Sequence, residues 1–388
     1  MTFSKITHDL KGQKMFQILQ QAKELERQGR EIIHLEIGDP DFDSPKIAID
    51  AIKRHLDNNE THYAPSTGLY ELKDASRNTT LASRGFRPDL DQILVTSGAN
   101  IQIYLACACL LDPNDEIVIC DPCFVSYQSI VRSLHGVPVP IKLYEKNNFA
   151  VDTGLLRAAI SEKTKAVIIN SPHNPTGSIV SEAQWREIFR ICEEYDIFLI
   201  SDEVYGRMIY SDSNVQFFSP SSIDKCKERT ILIHSFSKTY SMTGWRIGAV
   251  TAPNQLIEKM GLLFETINSC VPPFIQLAAA DLLNMARDSS QVMMGAFEER
   301  RNLICDRIDE FSSISCNRPN GAFYVFANIQ NTRLSSEQFC EVILEKVGVA
   351  ACPGNFFGSS GEGFVRFCFA NSNERINYAF DRIAGLFK

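Results

Sequence analysis

Lys238 stands just past the apolar run ILIHSF, inside the stretch IHSFSKTYSMTGWRIG, residues 233–248. Small hydroxyl residues surround it, and Gly244, Trp245 and Arg246 follow before a second apolar run. A lysine at the mouth of an α/β domain can condense with an aldehyde to a Schiff base, while Ser235 and Arg246 can hold a phosphate. The chemistry suggested is the anchoring of a phosphorylated aldehyde. Taken alone, the stretch equally fits a solvated loop lysine and a surface arginine.

Such an amine has to be positioned by the elements around it. From residue 92 apolar strands alternate with helices: ILVTSG, EIVIC, GVPVPIKL, KAVIIN, IFLISD, TILIHS and RIGAVTA. This alternation predicts a mainly parallel sheet covered by helices on both faces. Ligands bind such sheets at the carboxyl ends of the strands. Those ends supply Ser97 to Asn100, Phe124, Asn174, Asp202 to Tyr205, and Lys238.

Upstream, Met15, Phe16, Leu19, Ala22 and Leu25 recur at helical period, and a short strand and a turn at Gly38, Asp39 and Pro40 follow. A second helix is expected from about Pro45 to Leu56, with Ser44 as its cap. A long helical region, 254–313, breaks at SCVPPF and should lead into a second unit. Its tail holds GAFYVFANI, a helix near 335–346, and a strand, Gly-rich loop and strand. The expected class is α/β: a large domain with a mainly parallel sheet covered by helices, plus a smaller discontinuous α+β domain. The boundaries are 1–44 and 285–388 for the small domain and 45–284 for the large one.

The formal net charge of -8, with no basic block, argues against a nucleic-acid partner. No apolar run reaches membrane-spanning length and the first residues lack a signal-peptide core, so a cytoplasmic protein is expected. Cys120 and Cys123 form a CxxC without a second pair or a nearby histidine, so buried thiols are expected and no metal.

IGDPDF, YAPSTG, VTSGAN, DPCFVSY, SPHNPTG, SDEVYG, SFSKTYSMTGWRIG, and PGNFFG followed by VRFCFA occur in one order over nearly the full length. In this set the chain resembles the class I and II, fold-type I aminotransferases that use pyridoxal 5'-phosphate. The resemblance implies that Lys238 carries the coenzyme as a lysine aldimine and then moves the substrate proton. It implies that Asp202 pairs with the pyridine nitrogen, that Tyr205 and Asn174 contact the ring oxygen, and that Phe124 stacks on the ring. Gly98, Ala99, Asn100, Ser235, Ser237 and Arg246 would hold the phosphate. Tyr63 would reach the phosphate of a neighbouring subunit, which implies a homodimer with shared active sites. Arg366 would clamp the substrate α-carboxylate, helped by Gly38 and Asn174, and PGNFFG would shape the approach.

Before the resemblance is counted, Phe124 reads as core, Asn174 as an Asn-Pro turn and Arg366 as a strand residue. The chain departs from the family pattern at Val125 and Ser171. Ile18, Ile37, Tyr63, Tyr127 and Phe357 are candidates for the wall of the side-chain pocket, and no second arginine for an acidic side chain is identifiable. The expected reaction is ping-pong transamination between an L-amino acid and a 2-oxo acid. A cysteine-sulfur β-lyase of the same fold and a non-enzymatic coenzyme-binding regulator are the alternatives.

Overall fold

Runs of Val, Ile and Leu without polar alternation must be covered on both faces, and this chain has several. The computed structural model describes residues 2, 4, 12–285 and 290–387. The chain enters through a helix, Met15–Arg27, and a two-residue strand, β1 (Ile33–His34). The large sheet then collects β2 (Ile93–Thr96), β3 (Glu116–Asp121), β4 (Val137–Lys142), β5 (Thr164–Asn170), β6 (Phe198–Asp202), β7 (Thr230–Ser235) and β8 (Gly248–Thr251). Their spatial order is β2-β8-β7-β6-β5-β3-β4. Pairings from β7 out to β4 are parallel, while β8 runs against both β7 and β2.

The reversal at β8 decides which strand ends meet. Because β8 opposes both neighbours, β2 runs the same way as β7. The carboxyl ends of β2, β3, β5, β6 and β7 and the entry to β8 therefore share one edge of the sheet. The outer strand β4 carries Pro138 and Pro140, which lack the N–H that an inner strand would need. The helix Glu182–Glu194 buries Trp185, Ile188, Phe189 and Cys192 and starts with a Ser181/Gln184 capping box.

The smaller unit has β9 (Ser315–Cys316), β10 (Tyr324–Asn328), β11 (Val349–Ala350), β12 (Cys352–Pro353) and β13 (Phe364–Cys368). Four of these form an antiparallel sheet in the order β12-β13-β10-β9. Strand β11 instead pairs in parallel with β1, so the N-terminal segment joins the C-terminal unit. The helices Gln291–Asp309 and Asn373–Phe387 pack together beside it.

The helical region expected over 254–313 resolves into Asn254–Asn268, Pro273–Met285 and Gln291–Asp309, with its first break at SCVPPF; residues 286–289 lie outside the described residues. One expectation fails. Ser44 does not cap the second helix, Lys46–Asp57, whose N-cap is Pro45 without a side-chain bond. The Ser44 hydroxyl instead donates to the Ser241 carbonyl and accepts from Trp245 Nε1. A tertiary hydrogen bond has displaced the local one.

Beneath the shared edge, Arg84 Nε donates to Glu203 at 2.8 Å with both side chains buried. Ser201 and Ser219 donate to the same carboxylate. Removing one partner would leave the other charge buried and unpaired, so Glu203→Ala should cost ~3–5 kcal/mol. A lowered urea midpoint checks this, and the Arg84→Ala/Glu203→Ala double variant should lose less than the two single losses added together. An unchanged midpoint in Glu203→Ala would contradict the buried pair.

Candidate active site

At the shared strand edge lies a cavity of about 440 Å³. Lys238, Asp202, Tyr205, Phe124 and Asn174 line it together with Arg246. Lys238 sits on a one-turn helix, Phe236–Thr239, that begins where β7 ends. Ser235 caps that turn by accepting from the Ser237 N–H, and its hydroxyl donates to Ser237 Oγ. Both serines face the cavity.

On one side of the cavity the helix Ala99–Leu110 points its N-terminus inward, with Ala99 and Asn100 on the wall. Its N-cap, Gly98, has φ +89° and makes no side-chain cap. A Cβ there would stand 2.7 Å from the Arg246 guanidinium, so only glycine lets Arg246 lie against the helix end. Free helix N–H groups, two serine hydroxyls and a guanidinium make a cradle for a phosphate. Arg246 reaches it because β8 runs backwards and starts at this edge.

The Lys238 amine is lowered from 10.5 to about 8, chiefly by desolvation, with Arg366 and Arg246 adding to the shift and Asp39 and Cys368 opposing it. Its Nζ donates to the Gly38 carbonyl at 2.5 Å. Burial pushes the Asp202 carboxyl up to about 6, against the Tyr127 hydroxyl and the Val204 N–H, which both donate to it. Asp202 thus faces the cavity as a buried carboxylate short of a cationic partner. The Tyr205 phenol is raised by burial and hydrogen-bonds the Tyr324 hydroxyl at 2.7 Å.

These groups fit the coenzyme that the motifs imply. A pyridine nitrogen suits Asp202, a phosphate suits the cradle, and an aldehyde carbon suits the lowered amine. Phe124 lines the same space.

Some of the expected residues lie elsewhere. Arg366 is buried one layer back, with Nη1 donating to Asn174 Oδ1 at 3.0 Å and Nη2 to the Glu36 carbonyl. Its Nε is buried without a partner. Gly38 is on the wall, pressed against Tyr324: a Cβ there would fall 2.0 Å from the Tyr324 hydroxyl. Tyr63 is 91% exposed and outside the cavity.

Of the side-chain candidates, Ile37 lines the cavity and Ile18 does not; Ile18 packs against the cluster of Ala22, Ile32, Leu344 and Ala350. Tyr127 lies behind Asp202, and Phe357 packs under the Arg366 guanidinium. The PGNFFG loop does not border the cavity as expected. It lines a separate one, and just after it Ser359 Oγ and Ser360 N donate to the Asp121 carboxylate at the end of β3.

Three groups of the cavity do not stand out in the sequence. Tyr324 sits within GAFYVFANI, where it reads as one more apolar strand position. A phenol in a buried strand needs a hydroxyl partner, and that is the available signal. Asn170 lines the cavity and its Oδ1 accepts from the Asn174 N–H, which fixes the turn that carries Asn174. Met15 and Phe16, in the first turn of the N-terminal helix, form an apolar rim. Among the described residues no cluster of three or more His, Cys, Asp or Glu could hold a metal, and Cys120 and Cys123 are buried.

A family model for aminotransferase class I and II matches residues 30–383. The chain is 39% identical to an aspartate aminotransferase of Pyrococcus horikoshii over 379 residues, covering 96% of this chain and 94% of the relative. It is 40% identical to aromatic-amino-acid aminotransferase 2 of Thermococcus litoralis over 361 residues, covering 92% of each. Among solved structures, the aspartate aminotransferase from Thermus thermophilus with maleate superposes with TM-score 0.94 at 30% identity, covering 99% of both chains.

If burial sets the Lys238 amine, it should be acylated far below the pH at which surface lysines react. In coenzyme-free protein, an amine-selective reagent followed by peptide mass spectrometry should give a midpoint near pH 8 for Lys238, the value its burial dictates. A midpoint matching exposed lysines would contradict the buried amine.

Proposed function

The chain belongs to the class I and II aminotransferases, and from that membership we propose that it moves the amino group of an L-amino acid to a 2-oxo acid, with pyridoxal 5'-phosphate as coenzyme. One observation carries the reading: a single cavity wall holds a half-buried lysine of lowered pKa, a buried carboxylate and a phosphate cradle. Asp202 would hold the pyridine nitrogen, Tyr205 and Asn174 the ring oxygen, and Phe124 a ring face. The helix N-terminus at Gly98, Ala99 and Asn100, with Ser235, Ser237 and Arg246, would hold the phosphate. When bound, the coenzyme supplies an electrophilic carbonyl and an electron sink.

The chain's own residues do the rest. With its pKa lowered to about 8, Lys238 Nζ is roughly one-tenth neutral at pH 7 and about half neutral at pH 8, and the neutral amine can accept the proton from the substrate Cα and return it. The Asp202 carboxylate gains the positive partner it lacks and keeps a proton on the ring nitrogen. Arg366, one layer behind the wall with Nη1 on Asn174 and Nη2 on the Glu36 carbonyl, would turn its unpartnered Nε and a terminal N–H to the substrate carboxylate. Met15, Phe16 and Ile37 offer an apolar surface to the substrate side chain.

The proposal includes a homodimer in which Tyr63 completes the partner's phosphate site. Its exposure supports this, as do the exposed Leu262 and Ile267 on the helix Asn254–Asn268. Ser66 ties the Tyr63 loop to that helix by donating to Glu265 at 2.7 Å. A reducing, cytoplasmic compartment is also proposed, supported by twelve cysteines that are all free thiols.

A matrix of amino donors against 2-oxo acceptors tests the reaction, and amino transfer should appear only when both are present. Release of pyruvate, ammonia and a thiol from cystathionine without an acceptor would make the protein a β-lyase instead. Coenzyme bound without turnover of any donor would make it a regulator. Arg366→Lys should raise KM for donor and acceptor together by ~10–100-fold, because an ammonium cannot match two carboxylate oxygens. The coenzyme absorbance should not change. A KM shift for only one substrate would contradict the shared carboxylate site.

A further inference from the structure

Tyr205 and Tyr324 reach the cavity from different units of the fold. Tyr205 follows β6 of the large sheet, and Tyr324 opens β10 of the small one. Their hydroxyls are 2.7 Å apart, their rings meet edge to face, and both line the cavity. Tyr324 is further fixed from two sides. The Arg366 guanidinium lies 4.5 Å from its ring centre, and the Gly38 backbone crowds its hydroxyl.

A phenol has one proton to give and can accept in return. Burial raises both phenols, so both stay protonated near neutral pH. Between the two hydroxyls alone, either can be the donor. Once Tyr205 gives its proton to an oxygen in the cavity, it has none left for Tyr324. The contact then survives in one sense only, with Tyr324 donating to Tyr205. A hydroxyl that receives a hydrogen bond becomes a better donor, because the bonds in such a chain polarise one another.

We propose that Tyr324 is a positioning residue for the coenzyme, acting through Tyr205: it fixes the direction of the Tyr205 hydroxyl and strengthens its donation to the ring oxygen. This rests on the assignment of the ring oxygen to Tyr205 given above. Because Tyr324 belongs to the small unit and supports Arg366, it links the carboxylate clamp to the proton balance at Lys238. Weaker donation leaves the ring oxygen more basic, and the Lys238 nitrogen attached beside it then keeps its proton to higher pH.

The test is a pH titration of the visible absorbance of the coenzyme-loaded protein, for the wild type, Tyr324→Phe, Tyr205→Phe and the double variant. Phenylalanine keeps the ring beneath Arg366 and removes one oxygen, and a melting curve confirms the fold. Tyr324→Phe should raise the titration midpoint by about 0.4–1 pH unit, the size of one neutral hydrogen bond. It should lower kcat by ~3–10-fold. Tyr205→Phe should shift the midpoint further, and the double variant should match Tyr205→Phe, since Tyr324 acts only through that hydroxyl. An unmoved midpoint in Tyr324→Phe, or shifts that add in full in the double variant, would overturn the proposal. If the wild type takes up coenzyme but Tyr205→Phe titrates like it, the ring-oxygen assignment fails and this proposal fails with it. A wild type that takes up no coenzyme sinks the transaminase reading itself.

Discussion

An ammonium partly taken out of water is costly unless a partner offsets it, and the amine of Lys238, half-buried at the cavity wall, has little to offset it. Among the described residues it has the Gly38 carbonyl within hydrogen-bond reach and the more distant charge of Asp39. The cost is met by shifting its proton equilibrium, and that shift raises the share of neutral amine near pH 7–8 far above that of a solvated lysine. The acceptor carbonyl lies just after β1, the strand that pairs with β11 of the small unit. The amine of the large sheet is therefore held by backbone from the other unit. That backbone in turn presses on Tyr324, which supports Arg366. Lysine, small unit and carboxylate clamp are mechanically continuous.

Sheet direction explains how residues more than a hundred positions apart converge. Three parallel pairings bring the ends of β3, β5, β6 and β7 to one edge, and the reversed β8 brings Arg246 there with Gly98 opposite it. The buried Arg84–Glu203 pair lies directly behind Asp202 in the chain and stiffens the strand end that carries it. Asp202 is held by Tyr127 and the Val204 N–H, so its remaining capacity points into the cavity.

Much of this is legible in the sequence because parallel strands buried on both faces leave continuous apolar runs, each ending where polarity returns. Those ends are the site, which is why Asp202, Tyr205, Asn174 and Lys238 can be marked along the chain. Depth is harder to read. Arg366 lies in an unbroken buried strand, and the residues opposite it, Phe326 and Cys352, give no sign of which face it takes. Tyr324 is hidden by the same uniformity. Ile18 misleads for the opposite reason: its helical period is real, but that stripe faces Ala22 and Leu344, and only the first turn reaches the cavity. Ser44 and the PGNFFG loop obey tertiary partners, Ser241 and Asp121, that no local pattern announces.

Every role proposed for the cavity requires that the amine of Lys238, and no other lysine, bond covalently to pyridoxal phosphate. Borohydride reduction of the loaded protein followed by peptide mapping reads that bond itself. One phosphopyridoxyl mass increment is expected, on the peptide containing Lys238, and none in Lys238→Ala. An increment on another lysine, or one that persists in Lys238→Ala, would contradict it.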